Sequence, residues 1–399
     1  MIRPLFEGAQ NMHLLAAGFL IHFLRHGMVF PLIPLYAQAL GAMESRIGLV
    51  VACFHLLSIL LAIPLGSLME RFGLKFMLAC GAGCNLVYSL LLLVANSLWI
   101  LIMAQLAGGL GFLLLIVATQ TYVGSQDQNR LRERGFGLIT LAAAVGQTLG
   151  PALGGFLLSW AGYTSVFLVA TGLAGLGAVV VAVPGVGYQR QGEDSQHRSA
   201  LALIRSLAAN VQILTVLAFT FSVMVVVSLR GSFLPLLLQE KEISEGQIGL
   251  LLSCFALAMT LVRVVVGRVL GRTTRLNVLT FTLACVIVGS GALPFWDSMG
   301  MLAFFLTVYG IGFGFSQPLS MVMISDISSS GLAMGMRFFT LSLAIFLSSL
   351  SMGWIAEHFS LAATFYVGAG FLMLAGTGIV LQLAVKGARQ PAYREGEEL

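Results

Sequence analysis

The chain is dominated by twelve apolar stretches, each close to the roughly 20 residues that a helix needs to cross the hydrocarbon core of a membrane. Its 399 residues are 58% hydrophobic and only 9% charged, whereas soluble domains carry roughly 25% charged residues. So few charges cannot cover the surface of a water-soluble fold. We therefore expect an all-α protein embedded in a bilayer, which excludes soluble enzymes, disulfide-rich secreted proteins and nucleic-acid binders.

The apolar stretches, called spans below, are joined mostly by a few residues, so neighbouring helices must run antiparallel. They occupy residues 13–38, 46–69, 76–95, 98–122, 135–159, 163–186, 208–238, 246–270, 277–296, 299–324, 332–356 and 361–385. A longer polar segment separates the sixth span from the seventh. The sequence thus predicts an N-terminal six-helix half over 1–186, a cytoplasmic linker over 187–206, and a C-terminal six-helix half over 207–399 that ends in a short cytoplasmic tail.

Lysine and arginine in the loops predict the orientation, because cytoplasmic loops carry an excess of both. Sixteen of the 21 lie on the side of the two chain termini, and Arg46 and Lys241 lie in loops on the other side. We therefore expect a multi-pass protein of the inner cell membrane with both termini in the cytoplasm. We expect it to act as a monomer.

The two halves repeat each other in sequence. The offset that aligns Ile47 with Ile248 also aligns Gly109 with Gly310, so that GLGF in one half is aligned with GIGF in the other. We call it the repeat offset. Two matches at one offset indicate a duplicated fold. Two such halves around a central cavity, with a binding site near the bilayer midplane, are a known way to build a transporter.

Three motifs in the N-terminal half resemble signatures of the major facilitator superfamily. GSLMERFGLK, residues 66–75, is similar to the superfamily's loop motif between the second and third spans. GQTLGPALGG, residues 146–155, matches its antiporter signature GxxxGPxxGG, and PLIP, residues 31–34, resembles the proline pair of its twelve-helix drug and proton antiporters. The resemblance implies a secondary transporter of a small molecule that works by alternating access and uses no cofactor.

The fifth-span motif supplies the first set of candidate gating residues. Its glycines recur at helical spacing, which lets a neighbouring helix approach closely, and its proline bends the helix by removing one hydrogen bond. A glycine face used for packing alone is the alternative. The set comprises Gly146, Gly150, Pro151, Gly154 and Gly155.

The loop motif supplies a second set. Glu70 stands at the cytoplasmic end of the second span, where it can pair with Arg337 or with the positive N-terminal end of the eleventh helix. Such a pair would form a latch that breaks when the halves move. An ordinary solvated charge pair is the alternative. The remaining members are Gly66, Arg71, Gly73 and Lys75.

The middle of the predicted spans carries positive or protonatable residues, whereas all sixteen acids fall in loops, tails or helix ends. An arginine at a helix centre costs about 2.5 to 3.5 kcal/mol to insert, so such residues ordinarily face a water-filled cavity. There they can bind an anion. The interior set is His22, Arg25 and His26 in the first span, His55 in the second, Arg230 in the seventh and Arg263 in the eighth. Arg263 can instead snorkel to the cytoplasm.

Arg25 and Arg230 are the main substrate-binding candidates. Each lies on the first helix of its half, which resembles the paired arginines of organic-phosphate members of the superfamily. His22 and His26 share a helix face with Arg25, and with His55 they are candidates for proton coupling, because histidine titrates near neutral pH. For His55, a packing role stays open. Weaker cavity candidates are Phe23, Phe30, Tyr36, Phe233 and Gln317.

We therefore expect a transporter that exports a small, amphipathic, anionic organic molecule in exchange for protons. Two features weigh against the usual proton coupling: Gln105 stands where the superfamily's fourth-span motif has an arginine, and no acid lies in the middle of a predicted span. In a further departure from the superfamily pattern, Arg25 replaces the glycine ahead of the proline pair. The alternative is an organic-anion importer or exchanger. The expected partners are the substrate, protons and the lipid bilayer, with no nucleic acid and no metal.

Overall fold

The computed structural model describes residues 3–61, 64–126, 128–182, 209–327 and 331–389. The regular elements in these ranges are all helices. Eleven helices of the described part are long and apolar enough to cross a membrane. One of them, Asn129–Ala182, holds two spans, because Gly162 interrupts it with a φ of 75°. The prediction of an all-α, twelve-span membrane protein is confirmed. The predicted linker over 187–206 lies outside the described residues.

The helices follow the predicted order of spans. They are Arg3–Val29 followed by Ile33–Ala39, Glu44–Leu61 followed by Leu65–Phe72, Leu74–Leu93, Leu98–Gly124, the two arms of Asn129–Ala182, Val211–Ser232 followed by Leu234–Glu240, Glu245–Arg272, Arg275–Gly291, Met299–Ser325, Gly331–His358 and Leu361–Arg389. Three of the spans are thus made of a long helix and a shorter one.

Proline sets the break in the first and seventh spans. In the first, a short 3-10 turn at Phe30–Leu32 contains Pro31, and the next helix carries Pro34 in its first turn. In the seventh, the helix Leu234–Glu240 likewise carries Pro235 in its first turn. Proline has no N–H to continue a helix but fits the first turn of a new one. The repeat offset aligns Pro34 with Pro235, so both halves share this break.

Two glycine crossings join the halves at the end of the bundle away from the chain termini. Gly48 of the second span abuts the backbone of Ser349 and Gly353 in the eleventh, and Gly155 of the fifth abuts Gly249 in the eighth. A side chain at these glycines would collide with the facing backbone. The repeat offset aligns Gly48 with Gly249, so the two crossings are related by the pseudo-symmetry of the halves.

Hydrogen bonds reinforce both crossings. The Ala152 amide donates to Ser253 Oγ over 3.1 Å, and the Ser45 amide donates to the Glu357 carboxylate over 3.1 Å. Each bond joins the N-terminal half to the C-terminal half. This end of the bundle is therefore closed, and the loop charges predict that it faces away from the cytoplasm.

A tyrosine and a glycine occupy exchanged positions in the two halves. Gly108 abuts the ring of Tyr88, and at the equivalent positions of the other half Gly289 abuts Tyr309. The Tyr309 hydroxyl donates to the Val226 carbonyl over 2.7 Å. The Tyr88 hydroxyl is buried and has no partner among the described residues.

The crossing at Gly155 predicts that Gly155→Val shifts the protein towards a state open at this end. Overpacking costs about 1 to 3 kcal/mol, which corresponds to roughly a five- to 150-fold change in the population ratio. Spin labels at the exposed residues Met43 and Phe359, one in each half, should report a longer distance. The matched control is Gly175→Val, because Gly175 faces open space. An unchanged distance in Gly155→Val would contradict the role of the crossing.

The exchange of tyrosine and glycine predicts unequal effects of two identical substitutions. Tyr309→Phe removes a buried hydrogen bond and should lower the free energy of unfolding by about 1 kcal/mol. Tyr88→Phe removes a hydroxyl without a described partner and should be neutral or stabilising. Denaturant titration of both purified variants measures the difference. Equal destabilisation by the two substitutions would show that the Tyr309 bond contributes nothing.

Candidate functional site

Aromatic rings from three spans surround His26 in the N-terminal half. The His26 imidazole centre lies 4.9 Å from the ring centre of Phe30, 5.5 Å from that of Phe54 and 4.8 Å from that of Phe112. The rings of Phe54 and Phe112 are 5.6 Å apart. Gly109 permits this arrangement because it lets the fourth span approach the Phe54 backbone. We call Phe30, Phe54 and Phe112 the aromatic cluster.

The C-terminal half presents an equivalent pair of rings. Phe255 and Phe313 correspond to Phe54 and Phe112 under the repeat offset, and their ring centres are 5.9 Å apart. The Arg230 guanidinium carbon lies 4.6 Å from the centre of the Phe255 ring. Phe30 abuts Gly231 on the seventh span, so the aromatic cluster reaches the other half beside Arg230. We call this meeting place the central site.

Arg230 brings an uncompensated positive charge to the central site. It is half-buried, and its Nε is buried without a hydrogen-bond partner among the described residues. Stacking on an aromatic ring is worth about 0.5 to 2 kcal/mol, which is less than a buried cation costs. In the described spans the carboxylates lie at helix ends. An anion in the central site would therefore supply the counter-charge that Arg230 lacks.

Arg25 contacts the third span instead. It is only 2% exposed, and its guanidinium donates to Asn85 Oδ1 and to Ser89 Oγ, the latter over 3.4 Å. The guanidinium carbon lies 5.1 Å from the centre of the Tyr88 ring. Arg25 and Arg230 thus have separate partners in this conformation, and the structure does not bring them together around one ligand.

The three histidines proposed for coupling lie around the same rings. The centre of the His22 ring is 6.3 Å from that of His26 and 5.4 Å from that of Phe112, and His55 is 5.3 Å from Phe54. His22 is 4% exposed, and neither ring nitrogen has a described partner. Phe54 and Phe112 are not among the sequence-predicted site residues, although both belong to the segments that repeat between the halves.

The weaker cavity candidates other than Phe30 are engaged in packing. The Tyr36 hydroxyl donates to the Ala95 carbonyl, and its ring centre is 5.0 Å from that of Phe167. Phe23 is buried against Phe19, with ring centres 4.9 Å apart. Phe233 is completely buried at the break of the seventh span. In this conformation these three residues pack between helices, and their role in a cavity stays a prediction.

Gln317 and Arg337 form a pair within the C-terminal half. Arg337 is 5% exposed and donates to Gln317 Oε1 over 2.5 Å and to Ser320 Oγ over 2.8 Å. Gln317 thereby ties the tenth span to the eleventh. A latch between Arg337 and Glu70 stays a prediction, because the Glu70 side chain lies outside the described residues.

The rest of the loop motif ends one helix and starts the next. Gly66 lies in the helix Leu65–Phe72, and Gly73 ends that helix with a φ of 80°, a conformation that glycine adopts without strain. Arg71 and Lys75 are exposed. Arg71 lies over the Phe72 ring, with the guanidinium carbon 5.3 Å from the ring centre.

The fifth-span glycines contact two different helices. Gly146, Gly150 and Gly154 abut the backbone of the first span, and Gly155 abuts Gly249 of the eighth. Pro151 stays inside the helix, and its carbonyl lies against Gly249. Three glycines of the motif therefore fix the first span within its own half, whereas Gly155 carries the contact between halves.

Comparison with known proteins agrees with this architecture. A transporter of Methanocaldococcus jannaschii, described as the uncharacterized MFS-type transporter MJ1560, is 23% identical over 360 residues, which cover 88% of this chain and 92% of that protein. The quinolone resistance protein NorA of Staphylococcus aureus is 26% identical over 135 residues, 34% of this chain and 35% of NorA. The chain thus matches about a third of the length of that relative.

Solved structures share the fold at lower identity. The nucleoside transporter NupG superposes with a TM-score of 0.75 at 12% identity, and the match covers 94% of this chain and 99% of NupG. The family model of the Major Facilitator Superfamily matches residues 15–240 and 216–398. The chain therefore belongs to the Major Facilitator Superfamily of membrane transporters.

Proposed function

We propose that the protein is a secondary active transporter that exports a small aromatic organic anion across the inner cell membrane by alternating access. The observation that carries the proposal is the Arg230 guanidinium, which lies in the central site without a counter-charge among the residues that the structure describes. An anionic group on the substrate supplies that charge. The aromatic cluster and the Phe255–Phe313 pair offer ring faces on both sides for a flat, apolar body.

The closed end supports loading from the cytoplasm. The glycine crossings and their hydrogen bonds seal the end predicted to be extracellular. A substrate then enters from the side of the chain termini and leaves after the crossings open. The relative named for quinolone resistance and the complete GxxxGPxxGG motif also favour export.

Protons are the proposed counter-substrate, carried by histidine. The described spans hold no carboxylate away from their ends, so the device of a buried aspartate or glutamate is missing there. His22, His26 and His55 surround the same rings as the proposed substrate. Histidine changes charge near neutral pH, so protonation at these positions and an anion at Arg230 interact directly.

Substitution of Arg230 tests the charge of the substrate. The probe is 2-naphthoate, and 2-naphthamide is its uncharged analogue. Arg230→Gln should weaken naphthoate binding about ten- to a hundredfold, because a charge-assisted contact is worth about 1.5 to 3 kcal/mol. Naphthamide binding should stay within twofold. Binding is measured by isothermal titration to purified protein in nanodiscs.

Arg263→Gln is the matched control, because Arg263 is a half-buried arginine of the eighth span that contacts the Met259 sulfur. Its naphthoate affinity should match that of the wild type. Equal losses for naphthoate and naphthamide in Arg230→Gln would reveal a structural role and refute the anion site.

Proteoliposomes test the coupling. A gradient of 2-naphthoate should drive protons in the opposite direction, and the combined substitution His22→Gln and His26→Gln should abolish this flux while naphthoate still exchanges with itself. His358→Gln, at the end of the eleventh span, should leave it intact. Proton movement in the direction of naphthoate would favour the importer, and an unchanged flux in the double variant would refute histidine coupling.

A further inference from the structure

A pocket apart from the central site lies inside the N-terminal half, between the first, third, fourth and sixth spans. Its polar lining comprises His22, Arg25, Asn85 and Thr119, and the rest is aliphatic, aromatic or glycine. It follows the first span from Arg25 to Leu14, a length of about 16 Å at 1.5 Å per helical residue. Leu78, Leu173 and Val181 belong to its apolar wall. The pocket is therefore lined mainly by apolar residues, with a cation at one end.

The cation at this end is held in place by the third span. Asn85 and Ser89 each accept a hydrogen bond from the Arg25 guanidinium. A guanidinium has five N–H donors, so these two bonds orient the group and leave donors for a ligand. Asn85 is itself fixed, because its amide donates to the Gly81 carbonyl over 2.8 Å.

The other half of the protein shows that the fold does not require this cation. The repeat offset places Val226 at the position of Arg25 and Val286 at that of Asn85. Ser89 and its equivalent Ser290 make the same bond to their own helices. The C-terminal half thus keeps the serine and its bond while it has valines at the positions of Arg25 and Asn85. A buried arginine is costly, and packing alone does not explain why the N-terminal half keeps one.

His22 gives an independent indication of a ligand. His22 lines the pocket, it is 4% exposed, and both of its ring nitrogens are buried without a described partner. The equivalent residue in the other half is Val223. Since a buried polar group without a partner costs about 1 to 3 kcal/mol, an acceptor in the pocket near Arg25 would satisfy it.

We propose that this pocket binds an aliphatic carboxylic acid, with its carboxylate on Arg25 and His22 and its chain along the apolar wall towards Leu14. The carboxylate supplies both the missing charge and the missing acceptor. Arg25 lies near the middle of the first span, Met12–Ala39, whereas a phospholipid keeps its headgroup at the membrane interface. The occupant is therefore a free acid. The cation of this pocket is Arg25, whereas the central site uses Arg230, and His22 lies beside both.

Dodecanoate is the probe, and dodecanol is the uncharged chain of the same length. The protein is purified in lipid nanodiscs, and binding of radiolabelled probe is measured at equilibrium. Dodecanoate should bind to the wild type saturably, and Arg25→Gln should weaken it about ten- to a hundredfold, as expected for a charge-assisted contact. Dodecanol should bind equally to both proteins. Equal binding of dodecanoate to the wild type and to Arg25→Gln overturns the proposal.

A second pair of variants tests the pocket without removing the bonds of Arg25. Gly177 lines the pocket, so Gly177→Phe should fill it and abolish dodecanoate binding. Gly175→Phe is the matched control on the same helix, because Gly175 faces open space, and it should bind dodecanoate normally. Thermal unfolding of both variants confirms that they fold.

Arg230→Gln separates this pocket from the central site. It should leave dodecanoate binding unchanged even where it weakens naphthoate binding. Loss of dodecanoate binding in Arg230→Gln together with normal binding in Gly177→Phe would place the acid in the central site and overturn the proposal. If Arg230 proves irrelevant to naphthoate, only the proposed function fails, because the pocket is tested through Gly177 and Arg25.

Discussion

The close approach of helix backbones at glycine is the interaction on which the rest of this structure depends. In a bilayer no hydrophobic force draws helices together, so contact relies on packing and on hydrogen bonds between them. Glycine places the first span on the fifth at Gly150 and the fourth span on the second at Gly109, and it joins the halves at Gly48 and Gly155. The central site forms where these contacts bring the first and seventh spans together.

Comparison of equivalent positions in the two halves separates residues that the shared fold requires from residues that it does not. At matched positions the N-terminal half has His22, Arg25 and His26, and the C-terminal half has three valines, Val223, Val226 and Val227. The seventh span thus forms the corresponding helix with apolar side chains at these three positions. The three polar residues are therefore not explained by the requirements of folding. Both proposed sites accordingly include residues of the first span. The ring pairs, in contrast, occur in both halves and belong to the shared architecture.

Much of the fold can be predicted from the sequence, because span length, loop charge and the repeat offset are properties of single segments or of aligned segments. None of them requires knowledge of which helices are neighbours. Even the break near Gly162 falls between the predicted fifth and sixth spans. The contacts of the candidate site were harder to predict from the sequence. Helical spacing places His22, Arg25 and His26 on one face but does not say which neighbour that face meets, so the contact of Arg25 with Asn85 was not foreseen. Likewise, spacing alone could not distinguish Gly155, which contacts the other half, from Gly154, which contacts its own.

The matched proline breaks give each half a short terminal helix of seven residues, Ile33–Ala39 in one and Leu234–Glu240 in the other. These two helices contact each other across the halves. Each is joined to its long helix by a short turn, so it can tilt without bending the whole span. Each short helix also packs against the helix that carries the crossing glycine of its half, Gly48 or Gly249. The short helices and the glycine crossings must therefore separate together for a passage to open at the closed end.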